Sequence, residues 1–346
     1  MKIAVTGANG FIGRALCNAL FLRGQPVRAL VRKAPTDNCY ETMVVGDVAS
    51  DTDWSIALAG IDCVIHCAAR AHVLSESAAN PLEAFRAVNL RATQRLAKRA
   101  ASVGVRRLIF LSSIGVLGVR TNGRPPFSVR DTPDPPENYG ISKWEAEQAL
   151  WEIAQSTGLE VVVVRPPLVY GPGVRANFLR LMQLVDKGVP LPLGGVDNSR
   201  SLIGLENLVD LIVRCIDHPA APGQTFLVSD GQDISTTELI LELAKTMDRP
   251  VRLLSLPRAW LRFAAWGVGR LAEVDRLTDS LRVDIRHTCE TLDWQPPISL
   301  QTGLQRTVCA YRGGSGNPDI RLSETSASMG DGNRLPRSRS NEKTSP

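Results

Sequence analysis

Tyr139 and Lys143 are the two side chains whose types and spacing are best suited to chemistry, in the run YGISK at residues 139–143. Residues four apart share one face of an α-helix, so the ammonium group of Lys143 can lie near the phenol of Tyr139 and favour its ionised form. A free tyrosine has a pKa of about 10, so near neutral pH a phenol needs such a neighbour to exchange protons. The spacing predicts that Tyr139 is a proton carrier and that Lys143 lowers its pKa. The plainer alternatives are a core tyrosine with a satisfied hydroxyl and a surface lysine.

A glycine-rich segment, TGANGFIG at residues 6–13, follows a short apolar run and opens a helical pattern. This context is typical of a turn that binds the phosphates of a dinucleotide. Gly7 and Gly10 permit close backbone approach, Gly13 lets the helix pack closely, and the first N–H groups of the helix can receive a diphosphate. The alternative is a plain tight turn. Together with the Tyr/Lys pair, the segment predicts a hydride-transfer enzyme that binds a nicotinamide dinucleotide.

The end of the second predicted strand distinguishes NADP(H) from NAD. An acidic residue there would accept a hydrogen bond from the ribose 2′-hydroxyl, whereas an arginine would bind a 2′-phosphate. Residues 30–33 read LVRK, without a carboxylate. The planar guanidinium of Arg32 suits a phosphate, so we favour NADP(H) and keep NAD as the alternative, with a solvated loop charge as the plainer interpretation. Asp47 and Val48 follow the third strand, where the loop could hold the adenine amino group, although Asp47 could equally cap the next helix.

Short β-branched runs alternate with longer helical patterns through the first part of the chain. Strands are predicted at residues 3–5, 27–31, 43–45, 63–66, 107–111 and 160–164, with helices at 11–22 and 83–101 and a further helix carrying the Tyr/Lys pair. This βαβ rhythm predicts an α/β fold, a Rossmann-type doubly wound parallel sheet. The run VVVV at residues 161–164 predicts a fully buried parallel strand.

After residue 166, glycine and proline interrupt the pattern, as is typical of binding loops. Further helices are predicted at 207–215 and 237–247, and further strands at 225–228 and 251–254. We assign residues 1–166 with 203–228 to an NAD(P)-binding domain and residues 167–202 with 229–312 to a smaller C-terminal substrate-binding lobe. Residues 313–346 contain almost no large apolar side chain, which predicts a disordered tail.

The composition, 44% hydrophobic and 22% charged over 346 residues, is ordinary for a soluble globular protein. The net charge of +5 comes from scattered Lys and Arg without the aromatic-interleaved basic stripe of a nucleic-acid groove, so no nucleic-acid partner is expected. Seven cysteines lie scattered without CxxC spacing. They predict buried thiols in a reducing, cytoplasmic compartment and no metal site.

No apolar run reaches the roughly 18 residues of a membrane-spanning helix, and the run before Gly7 is too short for a signal peptide. The segment WLRFAAWGV at residues 260–268 comes closest, but Arg258, Arg262 and Arg270 flank or interrupt it. We predict a helix packed over the substrate-binding lobe, with a helix lying in a membrane interface as the alternative.

Several motifs, in the same order along residues 1–312, resemble the extended short-chain dehydrogenase/reductase family. They are TGANGFIG, His66-Cys-Ala-Ala69, Asn89 within VNL, Ser112-Ser113 followed by VLG ending at Gly118, the Tyr139/Lys143 pair, and RPPLVYGP at residues 165–172. Within that family they are similar to the nucleotide-sugar epimerase/dehydratase branch, the group of UDP-glucose and UDP-galactose 4-epimerases. Longer runs around these motifs resemble a bacterial subgroup associated with surface-polysaccharide sugars.

The resemblance implies a catalytic set of Ser113, Tyr139 and Lys143. Tyr139 would carry the proton of a sugar hydroxyl, Ser113 would hydrogen-bond the same oxygen, and Lys143 would hold the nicotinamide ribose and support the phenolate. Ser113 stands five residues before Gly118, as the family's serine or threonine does, and Ser112 is the competing candidate. The residues expected to contact the cofactor are Gly7, Gly10, Phe11, Ile12, Gly13, Arg32, Asp47, Val48, Ala68, Ala69, Asn89, Tyr139, Lys143 and Pro166.

A nucleotide-sugar substrate, a UDP-sugar, is also implied. Arg200 is the best candidate for its diphosphate, because a planar bidentate donor suits phosphate. Asn177 could meet the phosphate or the sugar, and Arg282 is a further candidate near the nucleotide. His72 and Ser113 could contact the sugar, with a structural role as the alternative for the histidine.

The implied activity is oxidation and reduction at C4 of a UDP-hexose, as a 4-epimerase or a UDP-4-keto-6-deoxy-hexosamine 4-reductase in surface-polysaccharide (O-antigen) biosynthesis. Two departures from the family pattern bear on it: Leu117 stands where the family often has tyrosine, and Arg32 stands near where NAD-retaining epimerases keep an acid. The alternatives are a reductase of apolar carbonyls, of the flavonol-reductase or hydroxysteroid-dehydrogenase type, and a non-catalytic dinucleotide-sensing regulator. A homodimer through the tyrosine-bearing helix is expected from the resemblance.

Overall fold

A seven-stranded parallel sheet organises the first part of the chain in the computed structural model, which describes residues 1–34, 39–49, 52–71, 80–267 and 269–313. The strands are β1 (Ile3–Thr6), β2 (Val27–Val31), β3 (Glu41–Val44), β4 (Cys63–His66), β5 (Arg107–Leu111), β6 (Glu160–Arg165), β7 (Leu168–Tyr170), β8 (Arg200–Gly204), β9 (Thr225–Leu227) and β10 (Asp233–Ile234). The order across the large sheet is β3-β2-β1-β4-β5-β6-β9, with every neighbouring pair parallel. The chain adds β2 and β3 on one side of β1 and then places β4 on its other side, so the switch point at which such sheets bind ligands lies between β1 and β4. The predicted Rossmann-type doubly wound sheet is confirmed.

Helices cover both faces of this sheet and build the second part of the chain. They are α1 (Phe11–Leu22), α2 (Trp54–Ala57), α3 (Pro81–Arg86), α4 (Ala92–Ser102), α5 (Asn138–Thr157), α6 (Ala176–Asp186), α7 (Leu205–Asp217), α8 (Thr236–Thr246), α9 (Arg258–Gly267), α10 (Leu271–Thr278), α11 (Arg286–Leu292) and α12 (Leu300–Gly313). A π-helical turn, Ala87–Arg91, joins α3 to α4, and a 3-10 turn, Ile114–Val116, follows β5. The predicted tail beyond α12 lies outside the described residues.

The valines of β6 show how the sheet is buried on both sides. Val162 and Val164 belong to the apolar cluster shared with α1 and α7. Val161 and Val163 belong to the cluster shared with α4 and α5. All four are buried, which confirms the predicted parallel strand and explains why its sequence is a continuous β-branched run.

A second, three-stranded sheet has the order β10-β8-β7, with β7 and β8 parallel and β10 antiparallel to β8. A separate apolar cluster from α6, α8 and α12 packs against it. β9 pairs with β6 in the large sheet, as the sequence predicted. The proposed division into two domains by residue number stays a prediction.

Three details of the chain differ from the predicted elements. The predicted helix 83–101 is three consecutive pieces, α3, the π-helical turn and α4. The predicted strand 251–254 is wrong, because this segment forms only one isolated bridge, between Leu253 and Leu191. The predicted helix near residue 260 forms as α9 and buries Leu261 and Ala265, but its aromatic side chains are exposed.

All seven cysteines fall within the described residues, and each is a free thiol. Across the described ranges, no helix is both long and apolar enough to cross a bilayer.

Candidate active site

The glycine-rich segment forms the turn between β1 and α1, at the carboxyl ends of the strands. Gly7 has a φ of 65°, and a Cβ there would lie 2.8 Å from the backbone nitrogen of Ala68. A Cβ on Gly13 would collide with the carbonyl oxygen of Gly7, and one on Gly10 would lie 3.0 Å from the same oxygen. Gly10 is the N-cap of α1 and supplies no side-chain cap, so the first N–H groups of α1 are left for a ligand. The turn fits the diphosphate of a dinucleotide.

Arg32 directly follows β2 and is exposed. The side-chain amide of Asn9, inside the glycine turn, donates to the carbonyl oxygen of Lys33 at 3.0 Å. This hydrogen bond ties the loop that carries Arg32 to the turn. Asn9 was missed by the sequence analysis, since asparagine in a turn carries no signal for its partner.

Asp47 and Val48 lie in the loop after β3. A carboxylate oxygen of Asp47 accepts from the N–H of Ala49 at 3.0 Å, and Arg95 of α4 donates to the carbonyl oxygen of Val48 at 3.1 Å. The N-cap of α2 is Asp53, so the alternative in which Asp47 caps that helix is wrong. Asp53 directly precedes α2, and its carboxylate accepts from the N–H of Ser55 in the first turn of that helix.

His66, at the end of β4, is buried between two threonine hydroxyls. Oγ1 of Thr6 accepts from the N–H of Ala68 at 3.2 Å and lies 2.6 Å from Nδ1 of the imidazole, and Oγ1 of Thr93 lies 2.9 Å from Nε2. Thr93 donates its own proton to a backbone carbonyl one turn earlier, so it accepts from Nε2–H while Thr6 donates to Nδ1. Burial, and secondarily the charge of Lys143, lowers the pKa of His66 to about 3. The neutral ring therefore fixes the loop after β4 beside the glycine turn.

Asn89 lies in the π-helical turn and joins that loop to the Tyr/Lys helix. Its Oδ1 accepts from the N–H of Arg70 at 2.8 Å, while Nδ2 donates to the carbonyl oxygen of Arg70 at 3.1 Å and to the hydroxyl of Ser142 at 2.9 Å. Ser142 donates in turn to the carbonyl oxygen of Tyr139 at 2.8 Å. Both amide donors of Asn89 are thus used within the protein, and the side chain positions the exposed Ala69 loop and the first turn of α5. A π-turn at such a place is common near functional sites.

The two serines after β5 have different surroundings. Ser112 is buried and donates to the carboxylate of Glu147. Ser113 is half-buried, and its hydroxyl oxygen accepts from the N–H of Gly115 at 3.1 Å, which leaves the hydroxyl proton for a ligand. The carbonyl oxygen of Pro166 accepts from the N–H that follows Ser113 at 3.0 Å and ties the end of β6 to this turn. The surroundings favour Ser113 over Ser112 as the serine that meets a substrate.

Tyr139 and Lys143 lie in the first turns of α5. The Lys143 side chain is 1% exposed, and its Nζ lies 4.0 Å from the ring centroid of Phe110. The ring of Tyr139 packs edge-on against Phe85, with centroids 6.2 Å apart. Within the described part of the chain, neither the phenol oxygen nor the ammonium group has a hydrogen-bond partner.

The expectation that Lys143 lowers the pKa of Tyr139 is wrong for this structure. Burial raises the pKa of Tyr139 to about 12. Burial also lowers the pKa of Lys143 to about 7, although Glu147 and Cys67 act in the opposite direction. Removal from water penalises the charged form of each group. The phenol is therefore protonated at neutral pH, and a further positive charge is required to ionise it.

Glu147 is a buried carboxylate one turn beyond Lys143, and the sequence analysis missed it. Its Oε2 lies 2.5 Å from Nη2 of Arg165 on β6, and its Oε1 accepts from Nε of the same arginine at 3.0 Å. Residues 139, 143 and 147 share one helix face, which was the available signal. The carboxylate is the main charged group that keeps the pKa of Lys143 from falling further.

A close helix-to-turn contact brings the serine and the tyrosine together. A Cβ on Gly140 would lie 2.6 Å from the carbonyl oxygen of Gly115. Gly140 directly follows Tyr139, and Gly115 lies two residues after Ser113. The two hydroxyl groups therefore come from segments in backbone contact at the carboxyl ends of the strands.

Arg200 and Arg282 lie on neighbouring segments, because Arg200 forms a bridge with the residue before Arg282. Nη1 of Arg200 donates to the carbonyl oxygens of Arg276 at 2.7 Å and Asp279 at 2.9 Å. Burial lowers the pKa of Arg200. The structure therefore brings two of the predicted substrate residues together and fixes one of them through backbone carbonyls.

Asn177, another predicted substrate residue, is not joined to this pair. Asn177 is exposed in the first turn of α6, and its side chain makes no hydrogen bond to any described residue. Ala176, just before it, has a φ of 54°, so the helix starts from a left-handed residue. His72 lies outside the described residues. The roles assigned to all these side chains stay predictions.

Comparison with known proteins places this site in a family. Residues 3–229 match the NAD dependent epimerase/dehydratase family. The UDP-glucose 4-epimerase of Vibrio cholerae is 47% identical over 312 residues, covering 90% of this chain and 95% of that protein. The matched segments contain the glycine turn, the serine turn and the Tyr/Lys helix.

Solved structures share the whole fold. MoeE5 in complex with UDP-glucose and NAD is 25% identical, with a TM-score of 0.74 over 90% of this chain and 99% of that one. The UDP-glucuronic acid 4-epimerase from Bacillus cereus in complex with NAD, at 21% identity, has a TM-score of 0.74 over the same shares and shows likeness of fold alone. Sequence and fold agree with the predicted resemblance, and the chain is an enzyme of the NAD dependent epimerase/dehydratase family.

Proposed function

We propose that this enzyme epimerises a UDP-hexose at C4. The observation that carries the proposal is the backbone contact between the Ser113 turn and the Tyr139 helix, beside the glycine turn. It offers a hydroxyl and a phenol to one oxygen of a bound sugar. The Vibrio cholerae relative, a UDP-glucose 4-epimerase, supports the choice of substrate class.

In the proposed reaction Tyr139 accepts the proton of the C4 hydroxyl and later returns it, while Ser113 hydrogen-bonds the same oxygen as charge develops on it. Lys143, one turn from the phenol, would hold the nicotinamide ribose. The chemistry that NAD(P) supplies when bound is reversible acceptance of a hydride. The oxidised nicotinamide ring would also supply the further positive charge that is required to ionise a phenol with a pKa of about 12.

The UDP diphosphate is assigned to Arg200, with Arg282 beside it. A guanidinium group suits a dianionic ligand, and Arg282 lies on the segment next to Arg200. This pair also disfavours the alternative of an apolar-carbonyl reductase, whose substrate has no charge to match.

A substrate panel separates epimerisation from net reduction. UDP-Glc, UDP-GlcNAc and a UDP-4-keto-6-deoxy sugar would each be incubated with the enzyme while cofactor absorbance and product configuration are followed. We expect C4 inversion of a UDP-hexose without net cofactor turnover. If NADPH were oxidised stoichiometrically, and only with the keto sugar, the proposed epimerase activity would be wrong and the enzyme would be a 4-reductase. A cofactor that exchanges at a site including Arg32 would permit that reaction.

The same panel tests Tyr139. We predict that Tyr139→Phe lowers kcat by about 10²–10⁴-fold, because the proton carrier is lost. Its thermal stability should stay close to the parent's, since no described residue hydrogen-bonds the phenol oxygen. A fully active variant would remove Tyr139 from the reaction.

Preference for NADP(H) is the finer part of the cofactor proposal. Arg32 is exposed beside the glycine turn, and residues 30–33 include no carboxylate. We predict tighter binding of NADPH than of NADH, and loss of the difference in Arg32→Ala, by fluorescence titration. Equal affinities in the parent would leave NAD as the cofactor, as in the MoeE5 complex.

The proposal also includes a cytoplasmic enzyme, a homodimer through α5 and a product used in surface polysaccharide. Sequence resemblance supports these parts. Deletion of the gene, followed by measurement of the sugar composition of the cell-surface polysaccharide, tests the role in surface polysaccharide. Light scattering of the purified protein tests the homodimer.

A further inference from the structure

Three aromatic side chains of α9 point away from the protein. Trp260, Phe263 and Trp266 are 66%, 68% and 68% exposed, and we call them the aromatic face of α9. The rings of Phe263 and Trp266 stack with centroids 6.4 Å apart. A cluster of large aromatic side chains exposed to solvent indicates a surface that binds another molecule or a membrane.

The aromatic face lies opposite the side by which α9 is attached. At about 100° per residue, the three aromatic positions span about 120° of the helix circumference. Their centre lies about 180° from the midpoint between Leu261 and Ala265, the two buried residues. The face is therefore not an incompletely packed part of the core.

Ion pairs fix the helix in this orientation. Arg258 lies 2.5 Å from a carboxylate oxygen of Asp279 and 3.5 Å from one of Asp275, and Arg262 also pairs with Asp275. Both acids belong to or follow α10. These contacts attach α9 through side chains outside the aromatic face, which is presented outwards on a supported helix.

Arginine predominates next to the face in the sequence. Residues 249–270 contain five arginines and no aspartate or glutamate. Arg252 and Arg270 are exposed; Arg270 lies 3.1 Å from a carboxylate oxygen of Glu273, whereas within the described ranges no carboxylate lies within 4.0 Å of Arg252. Leu254 and Leu256, 52% and 43% exposed, extend the apolar surface. Aromatic and aliphatic side chains edged by arginine are the composition of helices that lie in an anionic membrane interface.

Two other occupants fit this surface less well. Residues 314–346 offer only four large apolar residues, Ile320, Leu322, Met329 and Leu335, spaced too widely to cover three adjacent rings. A second copy placed face to face would bring the Arg252 side chains of both copies towards each other, and like charges in contact oppose association.

We propose that α9 docks the enzyme on the surface of an anionic lipid bilayer. Trp260, Phe263 and Trp266 insert at the level of the headgroups, and Arg252 and Arg270 lie against lipid phosphates. Attachment is peripheral, since no described helix can cross the bilayer. The docking adds to the proposed reaction and does not depend on it.

Vesicle co-sedimentation of the full-length protein tests the proposal. We expect binding to vesicles of phosphatidylcholine with phosphatidylglycerol and much weaker binding to phosphatidylcholine alone. The triple variant Trp260→Gln, Phe263→Gln, Trp266→Gln should lose about tenfold or more in partition coefficient. Arg252→Gln with Arg270→Gln should lose the preference for the anionic vesicles by a similar factor.

A matched control removes exposed apolar groups elsewhere. Leu22 and Ile56 are 63% and 70% exposed on α1 and α2, and their replacement by Gln should leave vesicle binding unchanged. All variants should turn over UDP-sugar in solution at the parent's rate, because none of these residues lies in the site. Quenching of tryptophan fluorescence by brominated lipid should occur in the parent and not in the triple variant.

Three outcomes would overturn the docking. They are a parent that sediments with neither vesicle type, a triple variant that binds like the parent, and a triple variant that changes only the subunit number in light scattering. The last would identify a second copy as the occupant. Since sedimentation needs no substrate, an inactive enzyme that binds vesicles would contradict the proposed function alone.

Discussion

The chemistry at the residue scale depends on charges held away from water. Tyr139 has a pKa raised to about 12 and Lys143 has a pKa lowered to about 7, both through burial. At neutral pH the phenol of Tyr139 is therefore protonated, and only about half of Lys143 carries its positive charge. Glu147, which is paired with Arg165, supplies a negative charge that raises the pKa of Lys143 and so favours its ammonium form.

We predict that Glu147→Gln shifts the alkaline limb of the pH–rate profile to lower pH, by about one pH unit. The carboxylate raises the pKa of Lys143, so its removal lowers that pKa below about 7, and the ammonium form is lost earlier as pH rises. Stability should also fall by about 3–5 kcal/mol, because Arg165 is left buried without its partner. Stopped assays across pH and chemical denaturation provide the two measurements.

The control for this variant is Glu160→Gln. Glu160 pairs with the buried Arg107 at 2.7 Å and has no part in the site. It should lower stability and leave the shape of the pH profile unchanged. If the profile of Glu147→Gln matched that of the control, the carboxylate would have only a structural role.

At the scale of elements, the site depends on how closely α5 approaches the 3-10 turn after β5. Gly140 permits that approach because a side chain there would meet the carbonyl oxygen of Gly115. Asn89 supports the same helix from the opposite side, through Ser142. The helix is therefore positioned at its first turn from two directions, and the catalytic spacing is a property of the contact between elements.

We predict that Gly140→Ala lowers kcat by at least about tenfold and costs about 1–3 kcal/mol of stability, because the added methyl group forces α5 away from the serine turn. Cofactor affinity should change less than kcat, since the glycine turn lies on another element. Steady-state kinetics, cofactor titration and thermal unfolding give the three values.

Gly267→Ala is the matched control. A Cβ at this position of α9 would have no atom within 4 Å, so stability should be unchanged or slightly higher. A Gly140→Ala enzyme as active as this control would show that the close contact is not required.

At the scale of the whole molecule, buried polar groups connect the two sheets. The hydroxyl of Tyr170 at the end of β7 donates to Oδ2 of Asp230 at 2.7 Å. Oδ1 of Asp230 accepts from the N–H of Gly204 at 2.8 Å and from Nδ2 of Asn207 at 2.7 Å. These bonds hold the end of the small sheet to the start of α7, which packs on the large sheet. The small sheet, in which Arg200 begins β8, is therefore connected to the large sheet.

The buried histidine predicts how the molecule responds to acid. His66 has a pKa of about 3 when folded and about 6.5 when unfolded, so below pH 6.5 the unfolded chain binds a proton that the folded protein excludes. Stability is unaffected above pH 6.5 and falls as pH decreases from there to about 3, by up to about 1.4 kcal/mol per pH unit from this group. Denaturant unfolding at successive pH values measures the slope.

His66→Gln should flatten this acid limb while lowering stability at pH 7, because Gln cannot titrate and satisfies Thr6 and Thr93 less well. An unchanged acid slope in this variant would assign the pH dependence to other groups.

The sequence by itself determined the sheet, the glycine turn and the order of the motifs. Hydrophobic periodicity and glycine placement report local conformation, so β1, α1, β6 and α5 appear close to their predicted positions. The strand predicted at 251–254 failed because short apolar runs do not specify whether a partner strand exists.

Only the tertiary structure decided that Ser112 is buried against Glu147, that both amide donors of Asn89 bind other groups of the protein, and that burial raises the pKa of Tyr139. It also decided that the aromatic residues of α9 point to solvent. Each of these results depends on which groups from distant parts of the chain share a buried space. Spacing along one helix predicts proximity, but desolvation and hydrogen-bond partners are set by the elements that pack around it.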